Sequence, residues 1–242
     1  MGKKIKVQRR GRGTPTFRAS KKGKISPIRY PKQGAESVNG VIKGLLHESG
    51  RGAPLLHVVL EDGTHYYTAA PEGVYIDQPV SLGEDAPLQV GNVRPIGFLP
   101  EGTMVCNVEL RPGDGGRIAR SSGSFATVVS HSDNKTTLKL PSKRNVEIYK
   151  TCRATIGIVS GGGRKEKPFL KAGEKFYAKK AKGQVYPETK GVKMAAASHP
   201  HGGGRHRRPG SSTTVSRHAP PGAKVGLIAA RNSGRRLRRR MT

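Results

Sequence analysis

Three of the eight histidines of the chain lie within eight residues, where glycines and arginines surround them. This segment reads His199-Pro200-His201-Gly202-Gly203-Gly204-Arg205-His206-Arg207-Arg208. Glycines lack a Cβ atom, so the backbone can approach a phosphate closely and bind it through N–H groups while an arginine closes over it. Imidazoles next to arginine can stack on bases or form hydrogen bonds to phosphate. The pattern favours a nucleic-acid contact.

Two other chemistries are possible for the same histidines, and their neighbours support them less well. A zinc site needs four ligands at defined spacing, whereas both cysteines are more than 40 residues away. A hydrolytic site needs a carboxylate that orients the histidine, and the nearest upstream acid is Glu188. Catalysis of acyl transfer by His199 remains an alternative hypothesis. It predicts that the isolated protein turns over an activated ester and that His199→Ala abolishes the turnover.

A second triple glycine, Gly161-Gly162-Gly163, leads directly into Arg164 and Lys165. It is either an anion-binding loop or a flexible linker at the end of a domain, and the sequence alone leaves both readings open. Neither triple glycine matches a P-loop, which ends in Gly-Lys-Ser/Thr. We interpret the loop cations near Arg117 and Arg120 as facing RNA. Tyr66 and Tyr67 point to opposite faces of a predicted strand, where they serve either as a stacking platform or as packing partners.

The excess positive charge of the chain is confined to its two ends. Residues 1–35 contain 12 Lys/Arg and no acid, residues 36–160 contain 12 Lys/Arg and 13 acids, and residues 161–242 contain 21 Lys/Arg and 3 acids. The total net charge is +29. Such terminal segments repel themselves, so we expect them to be disordered until a polyanion neutralises them. The partner that this charge distribution predicts is nucleic acid.

The remaining composition excludes several classes of protein. Only two cysteines are present, both in apolar strand-like runs, which predicts buried reduced thiols and a cytosolic protein. No apolar run approaches the ~18 residues of a membrane-spanning helix, and the basic N-terminus lacks the apolar region of a signal peptide. We therefore expect no membrane attachment.

The candidate RNA-binding loops of the central region lie between short strand-like segments, which must position them. Turn formers separate the segments at 8–12-residue spacing, which is typical of barrels and sandwiches, and no sustained helical periodicity occurs in the central region. The sequence predicts a mainly β fold with two small β-barrels of ~50 and ~75 residues. The strand candidates include 74–76 and 145–149, and Gly and Pro are expected to prevent a regular helix in 1–35. Only 171–182 is predicted to form a short helix, which Gly183 ends. The predicted domains are a basic N-terminal extension at 1–35, barrels at 36–86 and 87–160, and a basic C-terminal extension at 161–242.

A series of local motifs resembles the universal large-subunit ribosomal protein L2 family, over nearly the whole chain. These motifs are Gly50–Leu55, Gly91–Ile96, Pro100–Thr103, Arg120–Gly123, Gly161–Arg164, Lys167-Pro168, Leu170–Gly173, His199–Gly204 and Lys224–Arg231. Each motif is weak alone, and the set in this order is specific. The details resemble archaeal or eukaryotic members rather than bacterial ones.

The resemblance implies an OB-like barrel followed by an SH3-like barrel, with extensions that thread into large-subunit rRNA. It also implies a glycine–histidine loop near the peptidyl-transferase region, and a role in assembly and subunit association. The implied partners are rRNA, neighbouring ribosomal proteins and the small subunit across the intersubunit face. It implies a non-enzymatic protein of cytoplasmic ribosomes without a small-molecule substrate, and Mg²⁺ only as an RNA counterion.

One departure concerns the histidine loop. Where the family usually has Asn-Pro-Val followed by an acid, this chain has Ala195-Ala196-Ala197-Ser198. The carboxylate that could orient His199 is therefore missing, which argues against direct catalysis and leaves phosphate binding untouched. An alternative function with the same charge logic is a free-standing RNA chaperone or DNA-compacting protein, which would bind any polyanion equally.

The predicted RNA-binding residues combine the glycine loops with the cations around them and in both extensions. They are Arg9, Arg10, Arg12, Arg18, Lys21, Lys22, Arg51, Arg117, Arg120, Gly161, Gly162, Gly163, Arg164, Lys165, His199, His201, Gly202, Gly203, Gly204, Arg205, His206, Arg207, Arg208, Arg217, Lys224, Arg231, Arg235 and Arg236.

Overall fold

The computed structural model describes residues 2–32, 37–164, 166–206, 208–210 and 212–231, which form two compact units. One unit comprises Lys21–Leu170 and is called the β unit below. The other comprises Met1–Ser20 together with Lys171–Thr242 and is called the terminal unit. The predicted mainly β fold is confirmed, since ten of the twelve described strands lie in the β unit. The four domain ranges given above stay predictions.

The β unit contains one hydrogen-bonded sheet of ten short strands. Their order in the sheet is β3-β2-β1-β4-β5-β10-β6-β7-β8-β9. All neighbours are antiparallel except β4 and β5, which meet at the single pair Leu82↔Val93. The strands are β1 (Val38–Leu46), β2 (Leu55–Leu60), β3 (His65–Ala69), β4 (Pro79–Leu82), β5 (Val93–Pro95), β6 (Met104–Cys106), β7 (Ala126–His131), β8 (Lys135–Lys139), β9 (Asn145–Tyr149) and β10 (Arg153–Ile156).

The sheet differs from the two closed barrels expected from the sequence. Within the described part of the chain, the ladders run in one open order that ends at β3 and β9. Closure requires strands that are long enough to tilt and stagger around a ring. β5 and β6 have three residues each, so they form too few ladder bonds for that. A 3₁₀ turn at Ile96–Phe98 helps to cover the second core instead.

Alternating apolar residues build two main cores on the two halves of this sheet. Leu56, Val58 and Leu60 occur at every second position of β2, so all three face the first core. Strands β6 to β10 surround the second core. Cys152 lies in that core and Cys106 in a smaller third cluster, and both thiols are buried and free, as predicted. Burial raises the pKa of each thiol to about 12, so both remain protonated.

Two local predictions were wrong. The predicted strand 74–76 is irregular loop instead, because Gly73 and Asp77 on either side have the left-handed φ values of 88° and 66°. Val74 packs against the first core, whereas Tyr75 and Ile76 are exposed. Strand β4 begins later, at Pro79, a position where a strand tolerates proline. A short helix, α1 (Lys6–Arg10), forms in the N-terminal segment that was expected to lack one. It forms because no glycine or proline lies between Lys3 and Arg10, and Gly11 follows its last residue.

A buried ion pair holds residues 29–31 against the sheet of the β unit. Glu109 is fully buried, and its carboxylate accepts hydrogen bonds from the Arg153 guanidinium at 2.9 and 3.3 Å. The same guanidinium lies 5.3 Å from the Tyr30 ring centroid and donates to the Pro31 carbonyl oxygen at 3.0 Å. The Tyr30 hydroxyl donates to the Asn107 carbonyl oxygen at 2.8 Å. These contacts fix the last part of the basic N-terminal segment against the sheet.

The terminal unit has little regular structure. It contains α1, the predicted helix α2 (Ala172–Lys180), and the two-residue parallel strands β11 (Thr214–Val215) and β12 (Leu227–Ile228). Gly183 follows α2 with a φ of 67°, which confirms the predicted helix end. In the described ranges, no helix is long and apolar enough to span a bilayer.

Candidate nucleic-acid interface

The β unit brings four predicted arginines together from three distant segments. Arg51 precedes β2, Arg117 and Arg120 lie between β6 and β7, and Arg164 follows the triple glycine after β10. We call these arginines and Gly161–Gly163 the arginine–glycine cluster. The Arg164 guanidinium lies directly against Gly52 and donates to Ser122 Oγ at 3.5 Å.

Close backbone contacts require the glycines of this cluster. Gly161 has a φ of 74°, and a Cβ atom there would lie 3.2 Å from the Gly52 carbonyl oxygen. A Cβ atom on Gly123 would lie 2.8 Å from the Gly162 Cα. The triple glycine therefore packs against two other loops, which weakens the alternative of a free linker. Its exposed backbone stays available to an anion.

The arginines of the cluster repel one another. Burial lowers the pKa of Arg120, and the positive charges of Arg51 and Arg117 lower it further. The Arg120 guanidinium donates to the Gly116 carbonyl oxygen at 2.9 Å, which holds it in place. Glu48 neutralises part of this charge through a 2.8 Å ion pair with Arg51. The remaining positive charge would be compensated by a bound anion such as phosphate.

In the terminal unit, His199 and its neighbours form a tight loop, the histidine loop (residues 194–204). The Gly202 N–H donates to the His199 carbonyl oxygen at 2.9 Å, and the Gly203 N–H donates to the Met194 carbonyl oxygen at 3.0 Å. A Cβ atom on Gly202 would lie 2.5 Å from the Ala195 carbonyl oxygen. The loop geometry therefore depends on glycine at this position.

A backbone hydrogen bond determines the tautomer of His199. The His201 N–H donates to His199 Nδ1 at 3.0 Å, so Nδ1 must be unprotonated and the neutral ring carries its proton on Nε2. Burial lowers the pKa of His199, and the neighbouring His201 ring, 5.3 Å away between centroids, lowers it further. His199 borders an open cleft of about 400 Å³ that Ile5, Lys6 and other residues also line. In this state its Nε2 is a hydrogen-bond donor and not a general base.

The other predicted RNA-binding residues are distributed over both units. Arg10 is bound to Glu188 at 2.7 Å, and His201, Gly202, Gly203 and Lys224 are half-buried. Exposed predicted residues are Arg9, Arg12, Arg18, Lys21, Lys22, Gly204, Arg205, His206, Arg208, Arg217 and Arg231. Four residues of the predicted set, Lys165, Arg207, Arg235 and Arg236, lie outside the described residues. All of these assignments stay predictions.

The β unit carries a group of three aromatic rings, His57, His65 and Tyr67, that the sequence analysis did not predict. Tyr66 is buried in the first core, whereas Tyr67 stacks on His57 of the neighbouring strand at 4.8 Å between ring centroids. The His65 ring lies 5.9 Å from His57 at a steep angle. The register between β2 and β3 places these rings together, and a hairpin alignment through the Asp62-Gly63 turn could have found it.

Metal binding finds no support among the residues that the structure describes. No group of three or more His, Cys, Asp or Glu side chains is placed to hold a metal ion there.

Comparisons with known proteins agree with the motifs. A family model described as "Ribosomal Proteins L2, C-terminal domain" matches residues 89–223, more than half of the chain. A protein named "Large ribosomal subunit protein uL2" from Korarchaeum cryptofilum is 53% identical over 243 residues, covering 100% of this chain and 99% of the relative. Proteins of the same name from Hyperthermus butylicus and Methanothermobacter thermautotrophicus are 50% and 48% identical, and each comparison covers 98% of this chain and 100% of the relative. These relatives are ribosomal proteins and not enzymes.

Proposed function

The chain belongs to the ribosomal protein L2 family, and from this premise we propose that it is a structural constituent of the large ribosomal subunit that binds large-subunit rRNA. The observation that carries the rRNA proposal is the arginine–glycine cluster. Its four arginines come from three segments of the chain, and burial together with the charges of Arg51 and Arg117 lowers the pKa of Arg120 in the free protein. A phosphate at this position would relieve the repulsion and accept hydrogen bonds from several guanidinium groups.

The histidine loop would make a second kind of contact. With Nδ1 occupied by the His201 N–H, His199 offers Nε2–H to a phosphate, ribose or base-edge oxygen. The exposed Arg205 and Arg208 follow in the chain and would neutralise nearby phosphates. This role requires a fixed donor and no proton transfer. The family resemblance implies such a loop near the peptidyl-transferase region, and we propose that the chemistry there belongs to RNA.

The basic terminal segments would supply most of the affinity. Lys and Arg side chains that contact phosphates release condensed counterions, which drives binding and makes it sensitive to salt. If only about 10 of these cations contact phosphate, log K falls by ~7–9 per decade of salt concentration. The protein thus brings together RNA segments whose phosphates would otherwise repel each other. This bridging would support assembly of the subunit.

The remaining parts of the proposal concern partners and location. The protein works in ribosomes of the cytoplasm, in contact with neighbouring ribosomal proteins and with the small subunit across the intersubunit face, and so supports subunit association. It needs no cofactor of its own, and Mg²⁺ enters only as a counterion of the RNA.

Competition binding tests this proposal against a general polyanion-binding function. Labelled large-subunit rRNA is bound to the full chain at 0.15 M salt, and unlabelled large-subunit rRNA, small-subunit rRNA and duplex DNA are added as competitors. A specific site predicts that large-subunit rRNA competes roughly 10³-fold better than the other two. Equal competition by all three would support the RNA-chaperone or DNA-compacting alternative.

A further inference from the structure

One long segment of this basic chain contains no lysine or arginine. It extends from residue 52 to residue 93, which covers β2 to the start of β5. In a protein of net charge +29, this segment has a net charge of −6. Its carboxylates are all on exposed residues: Glu61, Asp62, Glu72, Asp77, Glu84 and Asp85.

Large apolar side chains are exposed in two loops of the same segment. Tyr75 and Ile76, between β3 and β4, are 62% and 54% exposed. Leu88 and Val90, between β4 and β5, are 53% and 40% exposed. Single exposed apolar residues are ordinary on a protein surface, but several on adjoining loops indicate an interaction site.

Gln78 joins these two loops into one surface. The Tyr75 N–H donates to Gln78 Oε1 at 3.3 Å, and Gln78 Nε2 donates to the Val90 carbonyl oxygen at 2.9 Å. Glu72 lies close to the same surface, because its neighbour Pro71 and Val90 both contact Gly157. A Cβ atom on Gly157 would lie 3.2 Å from Pro71 and 3.0 Å from Val90. We call Tyr75, Ile76, Leu88 and Val90, together with the carboxylates of the same two loops (Glu72, Asp77, Glu84 and Asp85), the apolar–acidic patch.

The charge of the patch decides which partner fits it. Within the described ranges, only one of the six carboxylates of the segment forms an ion pair, Asp77 with Lys43 at 3.7 Å. Unpaired carboxylates repel phosphates, so this patch disfavours RNA. A second copy of the chain would place the same acids opposite each other in a two-fold interface, which is also unfavourable. A basic partner with apolar side chains complements both the charge and the exposed apolar area.

We propose that the apolar–acidic patch binds a basic polypeptide segment of a neighbouring protein in the large ribosomal subunit. This inference rests on the proposed function and deepens it, because it assigns a protein partner to one defined face. The basic partner supplies Lys or Arg for the carboxylates around the patch and apolar side chains for its centre.

Site-specific photocrosslinking in assembled large subunits tests the inference. A Tyr75→p-benzoylphenylalanine variant is incorporated into large subunits, irradiated, and its crosslinks are mapped. The expected product joins position 75 to a peptide of another ribosomal protein that carries net positive charge and apolar residues. Crosslinks to rRNA, to a second copy or to this chain itself would each overturn the proposal, as would the absence of any crosslink at this exposed position.

Two controls separate the inference from the proposed function. An Arg117→p-benzoylphenylalanine variant should crosslink to rRNA in the same subunits. If it does while position 75 crosslinks to no protein, only the inference fails. If the chain is absent from purified large subunits, the proposed function itself fails.

Charge reversal provides the second test. Glu72→Lys combined with Glu84→Lys should lower the protein crosslink yield at position 75 about tenfold, because the basic partner then meets like charges. The matched control, Glu101→Lys with Asp133→Lys, adds the same charge at exposed positions outside the patch and should leave the yield unchanged. An unchanged yield in the patch variant would contradict the charge-complementarity argument.

Discussion

Removal of two arginines from the arginine–glycine cluster should weaken rRNA binding through its salt dependence. Arg117 and Arg164 are the best positions, because both are exposed and neither is part of a buried ion pair. Each phosphate contact contributes about 0.7–0.9 to the slope of log K against log salt. An Arg117→Gln, Arg164→Gln double variant should therefore have a slope that is smaller by about 1.4–1.8. Extrapolated to 0.15 M salt, this corresponds to a loss of affinity of about 15- to 30-fold.

The assay is filter binding of the full chain to large-subunit rRNA at several KCl concentrations. A matched double variant, Lys139→Gln with Arg144→Gln, removes the same charge from exposed positions in and after β8. We expect its slope to equal that of the wild type. If the cluster variant and this control lose the same amount, affinity follows net charge alone. The cluster would then not be a phosphate site.

Three further predictions concern stability and loop geometry. Glu109→Gln leaves Arg153 without its buried carboxylate and should destabilise the protein by roughly 3 kcal/mol in chemical denaturation, whereas an unchanged midpoint would show that this pair does not hold the fold. Burial and the nearby His65 lower the pKa of His57, so the folded state binds fewer protons than the unfolded state just below the usual value of 6.5, and stability should rise with pH up to about 6.5. His57→Phe, which retains the stack on Tyr67, should reduce this rise without abolishing it, because the lowered pKa of His199 contributes to it as well, and an unchanged rise would contradict the role of His57. Gly202→Ala places a Cβ atom against the Ala195 and Met194 carbonyl oxygens and should reduce incorporation into large subunits, whereas Gly210→Ala, where a Cβ atom meets nothing within 4 Å, should incorporate normally; equal incorporation would show that the loop tolerates a side chain.

Local patterns predicted the strands with clear alternation and failed where backbone conformation dominated. The segment 145–149 was predicted with the bounds that β9 has, because Val146 and Ile148 alternate with polar residues. The run 74–76 has the composition of a strand, and the left-handed conformation of Asp77 was not visible from residue types. The open sheet order also could not be predicted, since it depends on one parallel contact between β4 and β5.

Charge and glycine patterns predicted individual site residues better than their grouping. Arg51, Arg120 and Arg164 were each singled out from their local motifs, but only the fold shows that three loops carry them to one place. The role of Glu48 as a partner of Arg51 and the His199 tautomer both depend on distances of about 3 Å that no spacing in the sequence encodes.

Ultraviolet crosslinking of protein to RNA in native large subunits, mapped to individual peptides, tests the central claim most directly. Binding of rRNA by these surfaces predicts crosslinked nucleotides on the peptides that contain Arg117–Arg120, Gly161–Arg164 and His199–Arg208. Crosslinks confined to other parts of the chain, with these three peptides recovered unmodified, would contradict it.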